Sequence, residues 1–195
     1  MKDFILGSHN SWSYLTPKKW WMKLLAFTAK CQAVDIKTQY EKYGVRCFDL
    51  RVRFNKNDGL ILAHGIVEYN INWYDLMFWL QYLNDRGDCF VRVIHEARNK
   101  KEYTLYSKQH FIYLCEDIIC DFKNITFWCG RNLYNWEVDF TFKATPSCEE
   151  NYSSVKSPKL IDDWWPWLYA KRHNKKIKQE GTDKDILLID FVDIT

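Results

Sequence analysis

Two histidines, an aspartate–arginine pair and a late aspartate are the groups in this 195-residue sequence whose types and positions suit chemistry. Each lies in or at the end of a run that predicts a strand, and the set is His9, Asp49, Arg51, His64 and Asp190. Strand ends meet at one mouth of a parallel barrel, so these side chains are expected to converge there. Two imidazoles can then serve as general base and general acid, because the unperturbed histidine pKa lies near neutrality.

The charged members of this set suit a reaction at phosphorus. An arginine between the two imidazoles would place fixed positive charge where a pentacoordinate phosphorus gathers negative charge. A carboxylate behind one histidine would hold its tautomer and stabilise the protonated ring. Together these groups predict phosphoryl transfer that needs neither a nucleophilic side chain nor an obligatory metal ion.

The strand that carries Asp49 and Arg51 alternates strictly between polar and apolar residues over residues 45–54. Cys47, Asp49, Arg51 and Arg53 share one face, and the other face is apolar. Burying three charged side chains on one strand face is costly unless they pair with each other or with a ligand. The alternative interpretation is a solvated edge strand.

Apolar strands alternate with segments of helical spacing along most of the chain. Strands are predicted near residues 4–6, 45–54, 60–65, 88–97, 125–130, 136–142 and 185–191, and helices at 18–30, 35–43, 73–84, 105–122 and 160–179. The polar stretch 143–157 is predicted to be a loop. This order of elements indicates an α/β fold with a parallel sheet or barrel.

Composition bounds the class of protein. The length suits one domain over residues 1–195, which we expect to be a monomer, and the net charge of +3 is too small to argue for nucleic acid. The seven cysteines are scattered without a Cys-x-x-Cys pair, which favours reduced thiols in a cytoplasmic protein. No signal peptide is visible, and no apolar run approaches the roughly 18 residues that span a bilayer.

Aromatic residues make up 17% of the sequence, and two clusters of tryptophan suit contact with a membrane surface. Trp20 and Trp21 lie among lysines in the predicted helix 18–30, as in a helix that lies in the lipid headgroup layer. The alternative is a helix that packs into the core. Trp164 and Trp165 form the second cluster. We therefore expect peripheral binding at membranes.

Three short blocks resemble the X-domain of phosphatidylinositol-specific phospholipase C. They are Gly-Ser-His-Asn-Ser at 7–11, Gly-Val-Arg-Cys-Phe-Asp-Leu-Arg at 44–51 and His-Gly at 64–65, and their order and spacing match the family. The closing Leu-Ile-Asp-Phe at 188–191 is similar to the family's last barrel strand. The resemblance implies a single catalytic domain with a compact, irregular TIM-type (β/α) barrel, closer to the bacterial type.

The resemblance also implies a reaction and assigns a role to each candidate group. His9 would take the proton from the inositol 2-hydroxyl, which attacks the neighbouring phosphorus. His64 would protonate the departing diacylglycerol oxygen and leave inositol 1,2-cyclic phosphate. Asp190 would orient His9, and Asp49 would support the site from the strand face that it shares with Arg51.

The family pattern gives mixed signals about a metal ion. Eukaryotic members carry an acidic residue at the position of Arg51 and use calcium, whereas bacterial members carry arginine and need no metal. Asn10 resembles the eukaryotic calcium ligand. Because a guanidinium in the cation's place repels calcium, we expect no metal and no other cofactor. The alternative is calcium held by Asn10 and Asp49.

Contacts to the substrate are expected from Asn10, His95, Glu96, Arg131 and Asp139. In the bacterial family a lysine, an arginine and a later Asp/Tyr pair contact the inositol hydroxyls. Arg131 matches the arginine, and Asp139 is the candidate for the later acid. No lysine lies at the expected place, where His95 or Glu96 would substitute for it.

Two other functions remain open. One is a phosphodiesterase that acts on a glycero- or lysophosphodiester with metal assistance. The other is a catalytically silent module that binds lipid. The presence of both histidines and Arg51 argues against the silent module, because binding alone needs no acid–base pair.

Overall fold

A computed structural model describes residues 3–97, 100–131, 146–157 and 160–194 of the chain. Within these residues the strands are β1 (Ile5–Ser8), β2 (Cys47–Asn55), β3 (Gly59–His64), β4 (Val67–Tyr69), β5 (Cys89–His95), β6 (Ile125–Arg131), β7 (Cys148–Asn151) and β8 (Ile186–Ile189). The α-helices are α1 (Met22–Leu25), α2 (Ile36–Glu41), α3 (Trp73–Asn84), α4 (Leu105–Asp121), α5 (Ser153–Lys156), α6 (Leu160–Asp163) and α7 (Pro166–Glu180). Two 3-10 turns span Ala26–Thr28 and Lys100–Glu102.

Six strands run parallel in the order β6-β5-β2-β1-β8-β7 and curl into a half-barrel. This arrangement confirms the predicted α/β fold. Two of the longer helices begin where the sequence provides a cap: the side chain of Asn72 accepts from the backbone of Asp75 at the start of α3, and Thr104 does the same for Ser107 at the start of α4. None of the described helices is both long and apolar enough to cross a membrane.

The two faces of the sheet have different partners. The outer face, with Phe48 and Leu50 of β2, is fully buried in the main core among the helices. The inner face carries a smaller apolar cluster that includes Trp128 and Leu188. A Cβ on Gly7 of β1 would lie 2.6 Å from Cδ2 of Leu188, so a larger residue here would force the side chain of Leu188 to shift. Polar groups occupy the rest of the inner face, toward the carboxyl ends of the strands.

The strand β2 is longer than its neighbour β1, and this difference positions His64. β1 pairs only with the first two residues of β2. Beyond them β3 lies beside β2 in antiparallel register, with Leu62 opposite Val52. The sequence order indicated parallel strands throughout, but the turn at 56–58 is too short for a parallel crossover. The hairpin therefore turns β3 back, and His64 at its end reaches the mouth of the half-barrel.

The structure departs from the predicted elements in two further places, and a third prediction is not tested. The predicted helix 18–30 is helical only at α1 and the adjoining 3-10 turn, and no side chain caps its start at Trp21. The prediction of a loop over 143–157 is wrong where β7 and α5 form, because β7 is a polar strand without an apolar period. The predicted strand 136–142 lies outside the described residues.

Candidate active site

The five predicted catalytic side chains meet at the mouth of the half-barrel. His9 directly follows β1 and Asp190 directly follows β8, the strand that pairs with β1 along its whole length. The rings of His9 and His64 lie edge to face with their centroids 5.1 Å apart. At this distance the two imidazoles can act on one reacting group.

A buried carboxylate holds the ring of His9. Nδ1 of His9 lies 2.6 Å from Oδ1 of Asp190, and Oδ2 of Asp190 accepts a hydrogen bond from the backbone N–H of Ser153. Burial alone would raise the pKa of Asp190, but its charge interaction and hydrogen bond with His9 lower it below the ordinary value. With the Nδ1 proton directed at Asp190, Nε2 of His9 is the free base. This atom is buried and has no hydrogen-bond partner among the described residues.

His64 lies in an environment that favours the neutral ring. Burial, followed by the charges of Arg51 and His9, lowers the pKa of His64 to about 4. Nδ1 of His64 lies 2.9 Å from the carbonyl oxygen of Ala29, which also accepts from the hydroxyl of Tyr69. The carbonyl orients the ring, and the Nδ1 proton directed at it leaves Nε2 as the free nitrogen.

Asp49 is the centre of a buried network of charges. Its Oδ2 accepts from Nε of Arg51 at 2.7 Å, and its Oδ1 accepts from Nε of Arg92 at 2.8 Å. Arg51 also pairs with Glu96 at 3.3 Å, and Arg92 pairs with Glu150. Although burial raises the pKa of Asp49, the two guanidinium groups outweigh burial and hold it well below its usual range.

The charged face of β2 is therefore buried and paired. Arg53, the third charged residue of that face, lies 3.4 Å from both Glu68 and Glu102. Asp49 is fully buried, and Arg51 and Arg53 are buried as well. The alternative of a solvated edge strand is wrong, because β2 has paired strands along both edges: β5 on one edge, and β1 followed by β3 on the other.

The residues proposed for calcium do not fit that ion. Both carboxylate oxygens of Asp49 are engaged by guanidinium groups, and the backbone N–H of Asn10 donates to Oδ2 as well, at 2.9 Å. Asn10 adopts a left-handed backbone conformation with φ of 44°, and its side-chain nitrogen lies 3.4 Å from the carbonyl oxygen of Ala29. A divalent ion at Asp49 would face Arg51 and Arg92 at close range, which like-charge repulsion disfavours.

Comparison with solved structures identifies the fold. No family model and no curated protein sequence matches the chain. Structures of phosphatidylinositol-specific phospholipase C from Staphylococcus aureus do match it. One variant of that enzyme has a TM-score of 0.58 at 14% identity over 98% of this chain and 87% of the other. Another, with a histidine-to-tyrosine substitution, has a TM-score of 0.59 at 15% identity over 98% and 86%. A third structure, whose subject is modulation of membrane binding by the enzyme, has a TM-score of 0.57 at 14% identity over 98% and 86%.

The chain has the fold of bacterial phosphatidylinositol-specific phospholipase C. The TIM-type barrel predicted from the sequence resemblance is thus confirmed at the level of fold. At this identity the comparison does not extend to individual side chains, whose arrangement comes from the geometry above.

Of the predicted substrate contacts in this phospholipase C fold, two lie in the site, two lie outside the described residues and one faces away from the site. Glu96 lies in the site, where Oε1 accepts from the backbone N–H of Gly65 at 2.9 Å and Oε2 faces Arg51. The side chain of Arg131, which ends β6, and the whole of Asp139 lie outside the described residues. Asn10 lies in the site through its contact with Asp49.

The prediction that His95 contacts substrate is wrong. His95 is buried with its ring stacked on Phe111 of α4 at 4.8 Å and edge-on to Tyr103 at 4.9 Å. Successive strand residues point to opposite faces, so His95 faces the helices, while Arg92 and Glu96 face the site.

Sequence reasoning missed three residues of the site on β5 and around β7. Arg92 binds Asp49, Glu150 binds Arg92, and the ring of Tyr152 stacks on His9 at 3.7 Å with an interplanar angle of 4°. The family resemblance implied a later Asp/Tyr pair, for which Asp139 was the candidate acid. An acid followed closely by a tyrosine, as at Glu150 and Tyr152, was an available signal.

Five of the exposed aromatic side chains lie on the two segments predicted to contact a membrane, and we call them the aromatic ridge: Trp20, Trp21, Phe27, Trp164 and Trp165. The rings of Phe27 and Trp165 meet at 5.8 Å, so the segment that carries Trp20 and Trp21 contacts the one that carries Trp164 and Trp165. Trp20 is 76% exposed and Trp164 is 63% exposed. The ridge lies beside the mouth, because Phe27 is two residues from Ala29, whose carbonyl binds His64. For Trp20 and Trp21, exposure contradicts the alternative of a core-packing helix.

Proposed function

We propose that this chain is a phosphodiesterase that cleaves inositol phospholipids to diacylglycerol and inositol 1,2-cyclic phosphate. The proposal rests on one observation: His9, held by buried Asp190, faces His64 at a ring distance of 5.1 Å beside Arg51. The similarity of the fold to phospholipase C supports the same proposal.

The first step of the proposed reaction uses His9 as general base. Nε2 of His9 accepts the proton of the inositol 2-hydroxyl as that oxygen attacks the neighbouring phosphorus. Asp190 stabilises the imidazolium that forms, since its carboxylate lies 2.6 Å from Nδ1 and stays ionised. The bond between phosphorus and the diacylglycerol oxygen then breaks.

His64 acts as general acid on that leaving oxygen, which requires a proton that the free protein does not hold at neutral pH. Arg51 is the cation whose charge most lowers the pKa of His64, and a phosphodiester carries one negative charge that offsets it. Substrate binding therefore raises the pKa of His64 and brings in the proton. Arg51 stays charged and stabilises the negative charge that builds up on phosphorus.

We propose that the reaction needs no calcium, because both oxygens of Asp49 are bound by guanidinium groups. Activity measured in excess chelator should equal activity in added calcium. Strong activation by calcium would refute this part of the proposal and favour the alternative of metal-assisted cleavage of another phosphodiester.

The aromatic ridge is the proposed contact with the membrane, and exposed lysines such as Lys19 and Lys23 flank it. Replacing Trp20 with alanine should weaken binding to anionic vesicles about 10-fold, since partial burial of one ring contributes on the order of 1.4 kcal/mol. Turnover of a soluble substrate should be unaffected. The matched control is Phe78→Ala, which removes a 62%-exposed ring of α3 outside the ridge. Equal weakening by the two variants would contradict the assignment.

The decisive experiment is phosphorus NMR of the products formed from phosphatidylinositol vesicles. A cyclic phosphate signal is expected with the unmodified protein, at a rate that falls at least ~100-fold in His9→Ala and in His64→Ala. His110→Ala is the control, because His110 lies on α4 and contacts Tyr106 rather than the site. Vesicle binding without turnover by the unmodified protein would favour the silent lipid-binding module. Turnover that survives in both catalytic variants would refute the mechanism.

A further inference from the structure

Cys31 lies between the two proposed catalytic histidines although the proposed reaction does not use it. It is fully buried, and its Sγ lies 3.6 Å from Nδ1 of His64 and 3.4 Å from the carbonyl oxygen of Ala29. These contacts place a buried sulfur beside an imidazole of the proposed acid–base pair.

His9, Cys31 and His64 each present one ligand atom, and the three atoms lie within 4.8 Å of one another. Two imidazoles and a thiolate are a donor set that suits zinc and similar thiophilic ions. Bonds of about 2.3 Å to sulfur and 2.05 Å to nitrogen at a tetrahedral angle place those two atoms roughly 3.5 Å apart. The distance from Sγ of Cys31 to Nδ1 of His64 is 3.6 Å, which already meets that requirement.

The surroundings of His9 also match those of a metal ligand. A metal-binding histidine usually donates its other ring N–H to a carboxylate, as His9 does to Asp190. Its remaining nitrogen, Nε2, is buried and has no hydrogen-bond partner among the described residues. If His64 binds through Nδ1, its ring proton moves to Nε2 and its hydrogen bond to the carbonyl of Ala29 is lost, while that carbonyl keeps its hydrogen bond from Tyr69.

We propose that His9, Cys31 and His64 bind a zinc-type thiophilic divalent ion, and that the bound ion blocks the acid–base pair. Coordination forms the metal–sulfur bond as the thiol proton passes to solvent, and it occupies a nitrogen of each imidazole. The ion site is inferred from the positions of the three ligand atoms. Its inhibitory effect rests on the proposed function.

Cobalt is the probe for binding, because a thiolate ligand gives cobalt(II) a charge-transfer absorption in the near ultraviolet. Titration of the reduced protein should show this absorption saturating at one cobalt per chain, and zinc should displace it. Cys31→Ala should abolish the absorption and weaken zinc binding at least ~100-fold, the upper end of what loss of an outer-shell partner costs. Cys120→Ala is the matched control, since Cys120 is the exposed free cysteine of α4. It should leave the titration unchanged.

Several results would overturn the site: no charge-transfer absorption, its persistence in Cys31→Ala, or its loss in Cys120→Ala. Circular dichroism checks that Cys31→Ala is folded, and Cys31→Ser serves as a second variant that preserves side-chain volume but removes the sulfur. In activity assays, zinc should inhibit the unmodified protein reversibly, and a chelator should restore the rate. Half-inhibition should require at least ~100-fold more zinc in Cys31→Ala, relative to that variant's own metal-free rate. Cobalt binding by a protein that shows no phosphodiesterase activity in metal-free buffer would refute the proposed function and leave the metal site standing.

Discussion

Replacing Asp49 with asparagine tests whether the buried charge network holds the mouth together. The carboxylate accepts from Arg51, Arg92 and the backbone of Asn10, and all three distances lie between 2.7 and 2.9 Å. An asparagine keeps one oxygen but turns its NH2 group toward an arginine donor, and it leaves two guanidinium groups buried without their shared countercharge. Removing one partner of a buried pair costs about 3–5 kcal/mol, and a charge-assisted hydrogen bond contributes about 1.5–3 kcal/mol. We expect Asp49→Asn to lower the free energy of unfolding by about 3–5 kcal/mol.

Urea unfolding at pH 7 measures this loss, and Asp58→Asn provides the matched control. Asp58 pairs with Lys18 at 2.5 Å on the surface, where such a pair contributes about 0–1 kcal/mol. The folded-state pKa of Asp49 lies below the unfolded value of about 3.9, so its contribution is complete above that pH and declines as pH falls below it. A loss for Asp49→Asn no larger than for Asp58→Asn would refute the argument that the network stabilises the fold.

Three further predictions concern other parts of the site and its supports. In metal-free buffer, NMR titration of His64 should give a pKa near 4 that rises when inorganic phosphate is added, and because this value lies below that of the unfolded chain, the free energy of unfolding should rise with pH between about 4 and 6.5. Gly7→Ala should destabilise the protein by about 1–3 kcal/mol in urea unfolding, since the added Cβ would overlap Leu188. Asn174→Ala should cost about 2–4 kcal/mol by the same measurement, because this buried side chain donates to the carbonyls of Asp190 and Phe191 at 2.8 and 2.9 Å.

The sequence predicted those parts of the site that depend on a local period. Alternation along β2 puts Asp49, Arg51 and Arg53 on one face whatever surrounds the strand, and the structure shows that face buried and paired. The same rule applied to β5 would have separated His95 from Arg92 and Glu96. The prediction for His95 was wrong because it did not apply this alternation to β5.

Other parts of the site depend on contacts between distant segments and had no local signal. Cys31 lies in a segment between α1 and α2 without helical or strand spacing, and only the folded chain brings it to His64. Glu150 lies on a strand that pairs only with β8 among the described elements, so its sequence needs no apolar period. The antiparallel direction of β3 follows from the short turn before it, which the strand pattern alone does not reveal.

The charges of the site explain why the ring of His64 favours the neutral form in the unliganded protein. The pKa of His64 is lowered by burial, by the charge of Arg51 and by the neighbouring His9. Nearby carboxylates do not reverse the effect, because Asp49 and Glu96 are both engaged by Arg51. In the proposed reaction, the negative charge of a bound phosphodiester would supply the countercharge that lets His64 take up a proton. Without such an anion, burial and the charge of Arg51 keep the neutral ring favoured.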